Sequence, residues 1–230
     1  MRSWRSTPWR LGYVGLAVLD TALSGSAHSG AHRLRFVTKP LLMPALAAST
    51  LVAQRGRRST QGTATLVAQA FSWGGDVALL GEGTRAFATG TGSFGLAHVA
   101  YVSGFLSRAD TSRPLLARPA TKALLATWLV TTPVLARGAA RKAPVLGFAV
   151  GGYAVLLTAM AANALRLDAT VPASARRLTA AGALLFLASD TMLGLRQFVL
   201  TDPPPALETL VMATYTAAQL LLSEGAARSC

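Results

Sequence analysis

The run Ala143-Pro-Val-Leu-Gly-Phe-Ala-Val-Gly-Gly-Tyr-Ala-Val-Leu-Leu-Thr-Ala-Met-Ala-Ala-Asn-Ala-Leu165 carries no charged residue over 23 positions. About 20 apolar residues in a helix cross the roughly 30 Å hydrocarbon core of a bilayer, so this stretch has the length and chemistry of a membrane span. Arg137, Arg141 and Lys142 precede it, and Arg166, Arg176 and Arg177 follow. Basic residues in such positions hold the ends of a span at anionic headgroups.

Outward from this run the pattern repeats. Apolar stretches separated by basic or proline-rich breaks give eight candidate spans: Leu11–Ala27, Phe36–Ala53, Gly62–Leu80, Phe87–Leu106, Leu115–Leu135, Ala143–Leu165, Leu178–Leu200 and Ala206–Leu222. The breaks include Arg55-Gly-Arg-Arg58, Arg113-Pro114 and Asp202-Pro-Pro-Pro205. Strands of a membrane barrel would be about ten residues long and alternate in polarity; these runs are longer and apolar on every side. The expected fold is therefore all-α, a polytopic transmembrane bundle forming one integral membrane domain over residues 1–230.

Composition agrees. The chain is 52% hydrophobic and 13% charged, with a mean hydropathy of +0.43, whereas soluble domains carry about 25% charged residues. The net charge of +13 would point to nucleic acid in a soluble protein. Here the basic residues cluster between apolar runs, with no basic stripe interleaved with aromatics, so no nucleic-acid partner is expected. Arg2, Arg5 and Arg10, the loops after spans two, four and six, and the tail hold 13 Lys and Arg; the opposite flanks hold 8. The positive-inside rule then places both termini in the cytoplasm of a multi-pass cell-membrane protein. The start resembles a secretory signal, but Asp20 interrupts its apolar stretch and a second apolar segment follows, so it reads as an uncleaved span. Cys230, the single cysteine, makes no internal disulfide and is not a prenylation box.

Carboxylates are costly inside a bilayer, at roughly 2.5–3.5 kcal/mol for Asp at a helix centre. Yet Asp20, Asp76 and Asp190 fall within spans one, three and seven. His98 and Tyr101 lie in span four, Tyr215 and Gln219 in span eight, and Lys39 heads span two. Single polar residues in such places commonly bind helices together; this many together favour a functional cavity. At about 1.5 Å per residue, Asp76, Asp190 and His98 reach a similar depth. Asp76 and Asp190 are 114 residues apart, as are Tyr101 and Tyr215. That offset suggests a 4+4 parallel internal repeat bringing both carboxylates to one cavity.

Other patterns carry less. Gly90-Thr-Gly92-Ser-Phe-Gly95 spells a dinucleotide fingerprint but follows no strand, so its glycines read as close helix packing. His28 and His32 have metal-pair spacing, with His98 as a third ligand, but they fall in a short polar loop without a carboxylate. No G-x-S-x-G elbow occurs.

The motifs in order do carry a signature. They are Thr38-Lys39-Pro40-Leu-Leu-Met43, Gly74-Gly75-Asp76-Val-Ala-Leu-Leu80, Phe94-Gly-Leu-Ala-His98-Val-Ala-Tyr101, Gly182-Ala-Leu-Leu-Phe186-Leu-Ala-Ser189-Asp190-Thr-Met-Leu193 and Tyr215-Thr-Ala-Ala-Gln219. Together they resemble the YhhN-like lysoplasmalogenase family of eight-span membrane proteins. Asp20 matches none of these motifs. The resemblance implies hydrolysis of the vinyl-ether bond of lysoplasmalogens, giving a fatty aldehyde and glycerophosphoethanolamine or glycerophosphocholine. It carries the site over to Lys39, Asp76, His98, Tyr101, Ser189, Asp190, Tyr215 and Gln219.

Vinyl ethers hydrolyse by protonation at carbon and capture of the oxocarbenium ion by water, which calls for one carboxylic acid and one anion, as in glycosidases. Asp76 and Asp190 are the expected pair, with the order of roles open. Lys39 is expected to contact the lipid phosphate, and His98, Tyr101, Tyr215 and Gln219 to orient water and glycerol hydroxyls. Membrane lipids and a lyso-ether-phospholipid are the expected partners, with no cofactor. The competing reading is a proton- or cation-coupled transporter, or a lipid-binding protein, using the same carboxylates; a zinc-dependent hydrolase is a third.

Overall fold

The structure is a computed structural model that describes residues 6–26, 28–57 and 59–229. Arg2, Arg5, Ala27, Arg58 and Cys230, used in the sequence reading, lie outside the described residues. Among the described residues there are eight α-helices and no strand: α1 (Thr7–Ser24), α2 (Ser29–Ala53), α3 (Thr60–Ala78), α4 (Gly83–Leu106), α5 (Pro119–Lys142), α6 (Pro144–Ala164), α7 (Ala173–Phe198) and α8 (Pro205–Arg228). The chain is all-helical, and α2, α5, α6 and α7 are long and apolar enough to cross a membrane. In lipid a backbone must satisfy its own polar groups, which favours helices over any open strand.

Among the other four helices, α3 shows how a buried face lowers the average. On α3, Gln61, Thr65, Gln69, Ser72 and Asp76 all point inward. These polar residues lower the average while facing other helices. Large apolar side chains face outward elsewhere, with Val130 70% and Phe148 84% exposed.

Helix starts follow local chemistry. Pro119, Pro144 and Pro205 stand at the first turns of α5, α6 and α8, where the missing N–H costs nothing. Ser59 caps α3, accepting from the Gly62 amide at 3.0 Å. Gly83, at φ +86°, turns the chain into α4 through the left-handed region that glycine tolerates. Within α2, Pro44 has no N–H to offer the Pro40 carbonyl four residues back. The Trp73 indole of α3 donates to that carbonyl instead, at 2.9 Å.

Several helix ends differ from the sequence reading, among them the start of α7, at Ala173 instead of Leu178, and the end of α8, at Arg228 instead of Leu222. α2 starts at Ser29, not Phe36, so His32 is helical rather than in a loop; its first two turns are polar and escape a search for apolar runs. α5 runs Pro119–Lys142 instead of Leu115–Leu135, with a 3-10 turn at Leu115–Ala117 before it, because Pro119 opens the helix and Arg137 to Lys142 continue it. α3 passes through Gly74–Gly75 without a break.

Neighbouring helices trace a ring, α1–α2–α3–α4–α6–α7–α8 and back to α1, with α5 packed on α6 and α7. α8 also touches α2 and α3. The core contains Tyr13, Leu42, Leu46, Tyr101, Phe105, Met160, Phe186 and Leu222. Of the fingerprint-like glycines, Gly90 faces Leu79 and Gly95 faces Leu156 and Tyr153, whereas Gly92 has nothing near it; two of the three serve close packing.

The start of α1 and the end of α8 share one face of the bundle, where Arg10 meets Glu224 at 3.4 Å. On that face the connections after α4 and α6 are clipped together. The Asp110 amide donates to the Arg166 carbonyl at 2.7 Å, and the Asp168 amide to the Arg108 carbonyl at 2.8 Å. Hydrogen bonds from Ser112 and then the Arg118 guanidinium hold the Asp110 carboxyl well below the usual range. Hydrogen bonds to Thr170 lower Asp168 in the same direction.

Candidate functional site: one cavity, two carboxylates

A cavity of about 540 Å³ opens at the opposite end, among the α1–α2, α3–α4 and α7–α8 connections. Small-molecule sites span roughly 300–1,000 Å³. Its lining includes apolar Phe87, Leu124, Trp128, Leu135 and Leu157, and polar Lys39, Asp76, Tyr153, Ser189, Asp190 and Tyr215. Asp76 and Asp190, from α3 and α7, thus face one space.

Asp76 lies near the end of α3 and is buried. Tyr215 of α8 donates to its Oδ2 at 2.7 Å, and Lys39 Nζ stands 3.7 Å from its Oδ1. Lys39 reaches it from α2 on the same helical face as Arg35, four residues earlier. Gly75 leaves room for the Phe94 ring, which an added Cβ would meet at 2.5 Å. Phe94 in turn packs edge-on to Tyr215, with centroids 5.8 Å apart.

Asp190 has different company. Tyr153 of α6 donates a hydrogen bond to its Oδ2. His98 Nε2 lies 2.8 Å from the same Tyr153 hydroxyl and 3.8 Å from Asp190 Oδ2. Phe186 supports the His98 ring edge-on at 4.9 Å. No lysine or arginine among the described residues pairs with Asp190, whose side chain is 12% exposed. One carboxylate therefore has a cation beside it, while the other is held by a phenol and an imidazole.

Behind Asp76 is a second tier. Gln219 accepts from Tyr101 at 2.7 Å and donates to Ser72 at 2.9 Å and weakly to Tyr215 at 3.4 Å. Gln69 continues along α3, donating to Thr50 at 3.0 Å, which pairs with Ser223 at 2.6 Å. Further on, both amide atoms of buried Gln61 have no hydrogen-bond partner among the described residues. Buried polar atoms of this kind are where proteins hold internal water.

Of the eight expected site residues, Lys39, Asp76, Ser189, Asp190 and Tyr215 line the cavity. His98, Tyr101 and Gln219 do not: His98 meets the lining residue Tyr153 and Gln219 meets the lining residue Tyr215, while Tyr101 reaches only Gln219. Ser189 donates to the Val211 carbonyl at 2.9 Å. Strict repeat symmetry would match the Asp76–Tyr215 pair with Asp190 and Tyr101, but Tyr101 goes to Gln219 and Asp190 takes Tyr153. The three histidines do not converge: His28 is exposed beside Ser26, and His98 is buried. No three His, Cys, Asp or Glu side chains gather at one point among the described residues.

Several residues at this site escaped the sequence reading. Tyr153 is the one phenol in the uncharged span six, a signal that was available. Arg35, Arg196 and Glu208 form a cluster at the cavity mouth, with Glu208 Oε1 2.5 Å from Arg35 and Oε2 2.7 Å from Arg196. Beneath Arg35 lies fully buried Asp20, 3.5 Å from its Nε and accepting from Thr38 at 2.7 Å. Charges at helix ends look like ordinary anchors until the fold brings three helices together.

No curated protein matches the chain, and no solved structure does. The YhhN family model matches residues 34–226, which takes in all five motifs, both carboxylates and the cavity lining from Arg35 onward. The chain belongs to the YhhN family.

Proposed function

We propose that this protein is an integral membrane hydrolase of the lysoplasmalogenase type, with all eight helices in the bilayer, the cavity mouth turned away from the cytoplasm, and the vinyl-ether bond of a lysoplasmalogen as its target. The observation that carries this reading is the unequal pair of carboxylates lining one largely apolar cavity. Asp190, without a lysine or arginine partner, is the proton donor; its Oδ2 is engaged by Tyr153, leaving Oδ1 for the reacting proton. Asp76, balanced by Lys39, is the anion that faces developing positive charge.

In the reaction the π electrons of the vinyl ether take the Asp190 proton at the carbon remote from oxygen. The oxocarbenium ion forms opposite Asp76, and water adds to the carbon bearing oxygen. The water's proton returns to Asp190. Asp190 then protonates the glycerol oxygen as its bond to the hemiacetal carbon breaks, and the hemiacetal hydroxyl gives its own proton back to Asp190, so that the products are an alcohol and the fatty aldehyde. His98, Tyr101 and Gln219 act as positioning residues through Tyr153 and Tyr215. Ser189 shapes the wall, and the apolar side takes the chain.

The stripe from Gln61 to Asp76 favours one other reading, a proton or cation relay across the bundle. Aldehyde release from lysoplasmalogen by purified protein in detergent separates the two. The hydrolase releases aldehyde, and Asp76→Asn and Asp190→Asn each abolish release while the protein stays folded. Full activity in both variants, or no release by the native protein alongside ion flux in vesicles, overturns the hydrolase.

A further inference from the structure

We propose that Arg35 and Arg196 at the cavity mouth form a binding site for the phosphate of a phosphoester headgroup, with Glu208 as the carboxylate which that phosphate displaces. The proposal deepens the hydrolase reading and rests on it for the direction in which the rest of the substrate points. Two guanidiniums, from α2 and α7, converge on the two oxygens of one carboxylate, at 2.5 and 2.7 Å. Planar guanidinium forks suit carboxylate and phosphate alike, and a phosphodiester presents the same single charge on two equivalent oxygens, so it can take the place of Glu208 between them.

Arg35 is not a loose surface side chain. It is about nine-tenths buried, its Nε has no hydrogen-bond partner among the described residues, and Asp20 holds it from below at 3.5 Å. Arg35, Arg196 and Glu208 all line the cavity. Glu208 is in the first turn of α8, where the helix dipole favours a negative charge without the arginines, so its release is not heavily opposed.

Spacing supports a headgroup role. Lys39 lies one turn below Arg35, about 6 Å along α2, and Asp190 is about 9 Å along α7 from Arg196. A phosphate at the mouth therefore sends the three glycerol carbons toward the carboxylates. Lys39, committed to Asp76 at 3.7 Å, is then the counter-ion, and the phosphate belongs to the arginines.

The test is direct binding to the full-length protein in nonionic detergent, without turnover. One probe is a saturated 1-O-alkyl lysophospholipid, which lacks the vinyl double bond; the other is the matching 1-O-alkylglycerol, which lacks phosphate. The native protein should prefer the phospholipid by about 10-fold or more, and Arg196→Gln should remove most of that preference. Glu208→Gln should tighten phospholipid binding several-fold and leave alkylglycerol binding unchanged. Displacement of the lipid by millimolar glycerol 3-phosphate assigns the site to soluble phosphoesters, and persistence of the lipid assigns it to a lipid headgroup; both support a phosphate site. Equal affinity for the two probes, or weaker phospholipid binding in Glu208→Gln, overturns it. Because no bond is cleaved, a failure here is distinct from a failure to release aldehyde.

Discussion

Replacing Lys39 with methionine isolates the interaction that divides the two carboxylates. Lys39 Nζ and Asp76 Oδ1 are 3.7 Å apart, with side chains 9% and 2% exposed. At an effective dielectric of about 20, opposite charges at that distance attract by about 4.5 kcal/mol. Met keeps most of the aliphatic stem, so packing changes little, but Asp76 loses its counter-charge. Removing one partner of a buried pair costs about 3–5 kcal/mol, whereas removing both is often nearly neutral. Lys39→Met should therefore destabilise by about 3–5 kcal/mol, and adding Asp76→Asn should recover at least about 2 kcal/mol of that loss. The double variant should be folded yet release no aldehyde. Reversible SDS unfolding in mixed micelles, followed by tryptophan fluorescence, measures the stabilities. A Lys39→Met variant within about 1 kcal/mol of native, or a double variant as unstable as the single, would refute the reasoning.

Three further outcomes are expected. Tyr153→Phe removes the hydroxyl shared by His98 and Asp190, so aldehyde release should fall by about 10- to 100-fold, matching a hydrogen bond to a charged group, with the folded fraction unchanged. Gly182→Ala would push a Cβ to 2.9 Å from the Ala218 carbonyl and 3.0 Å from the Leu222 amide. Parting α7 from α8 should cost about 1–3 kcal/mol in the same unfolding assay, while Gly12→Ala, with nothing within 4 Å, should cost nothing. The backbone clip between the α4–α5 and α6–α7 connections rests on turns that are held by the Asp110 and Asp168 carboxyls, and these sit below their unfolded range. Its contribution is complete above the ordinary carboxylate range and is lost as pH falls through the depressed values. Limited proteolysis should find both connections protected at neutral pH and opened by strong acid, and opened at all pH values in Asp110→Asn.

The helices were legible because their evidence is local. Each of the eight expected spans corresponds to a helix, since apolar length and flanking charge decide that question within about twenty residues. The polar residues that make α1, α3, α4 and α8 less apolar were legible too, since Asp20, Asp76, His98, Tyr101, Tyr215 and Gln219 stand inside the expected spans. Helix ends were less clear: the polar first turns of α2 and the charged end of α5 lie outside any apolar run.

Sequence by itself determined that the chain is helical, that three carboxylates are carried inward, and which residue types stand near them. Tertiary structure decided who meets whom. Tyr215 reaches Asp76 across 139 residues, Arg35 reaches Glu208 across 173, and Tyr101 reaches Gln219 across 118. The 114-residue offset did not foretell that Asp190 would take Tyr153 rather than Tyr101. Hydropathy and charge act through the solvent around each segment and so can be read along the chain. A hydrogen bond depends on angles and distances between helices, which exist only after the bundle has closed.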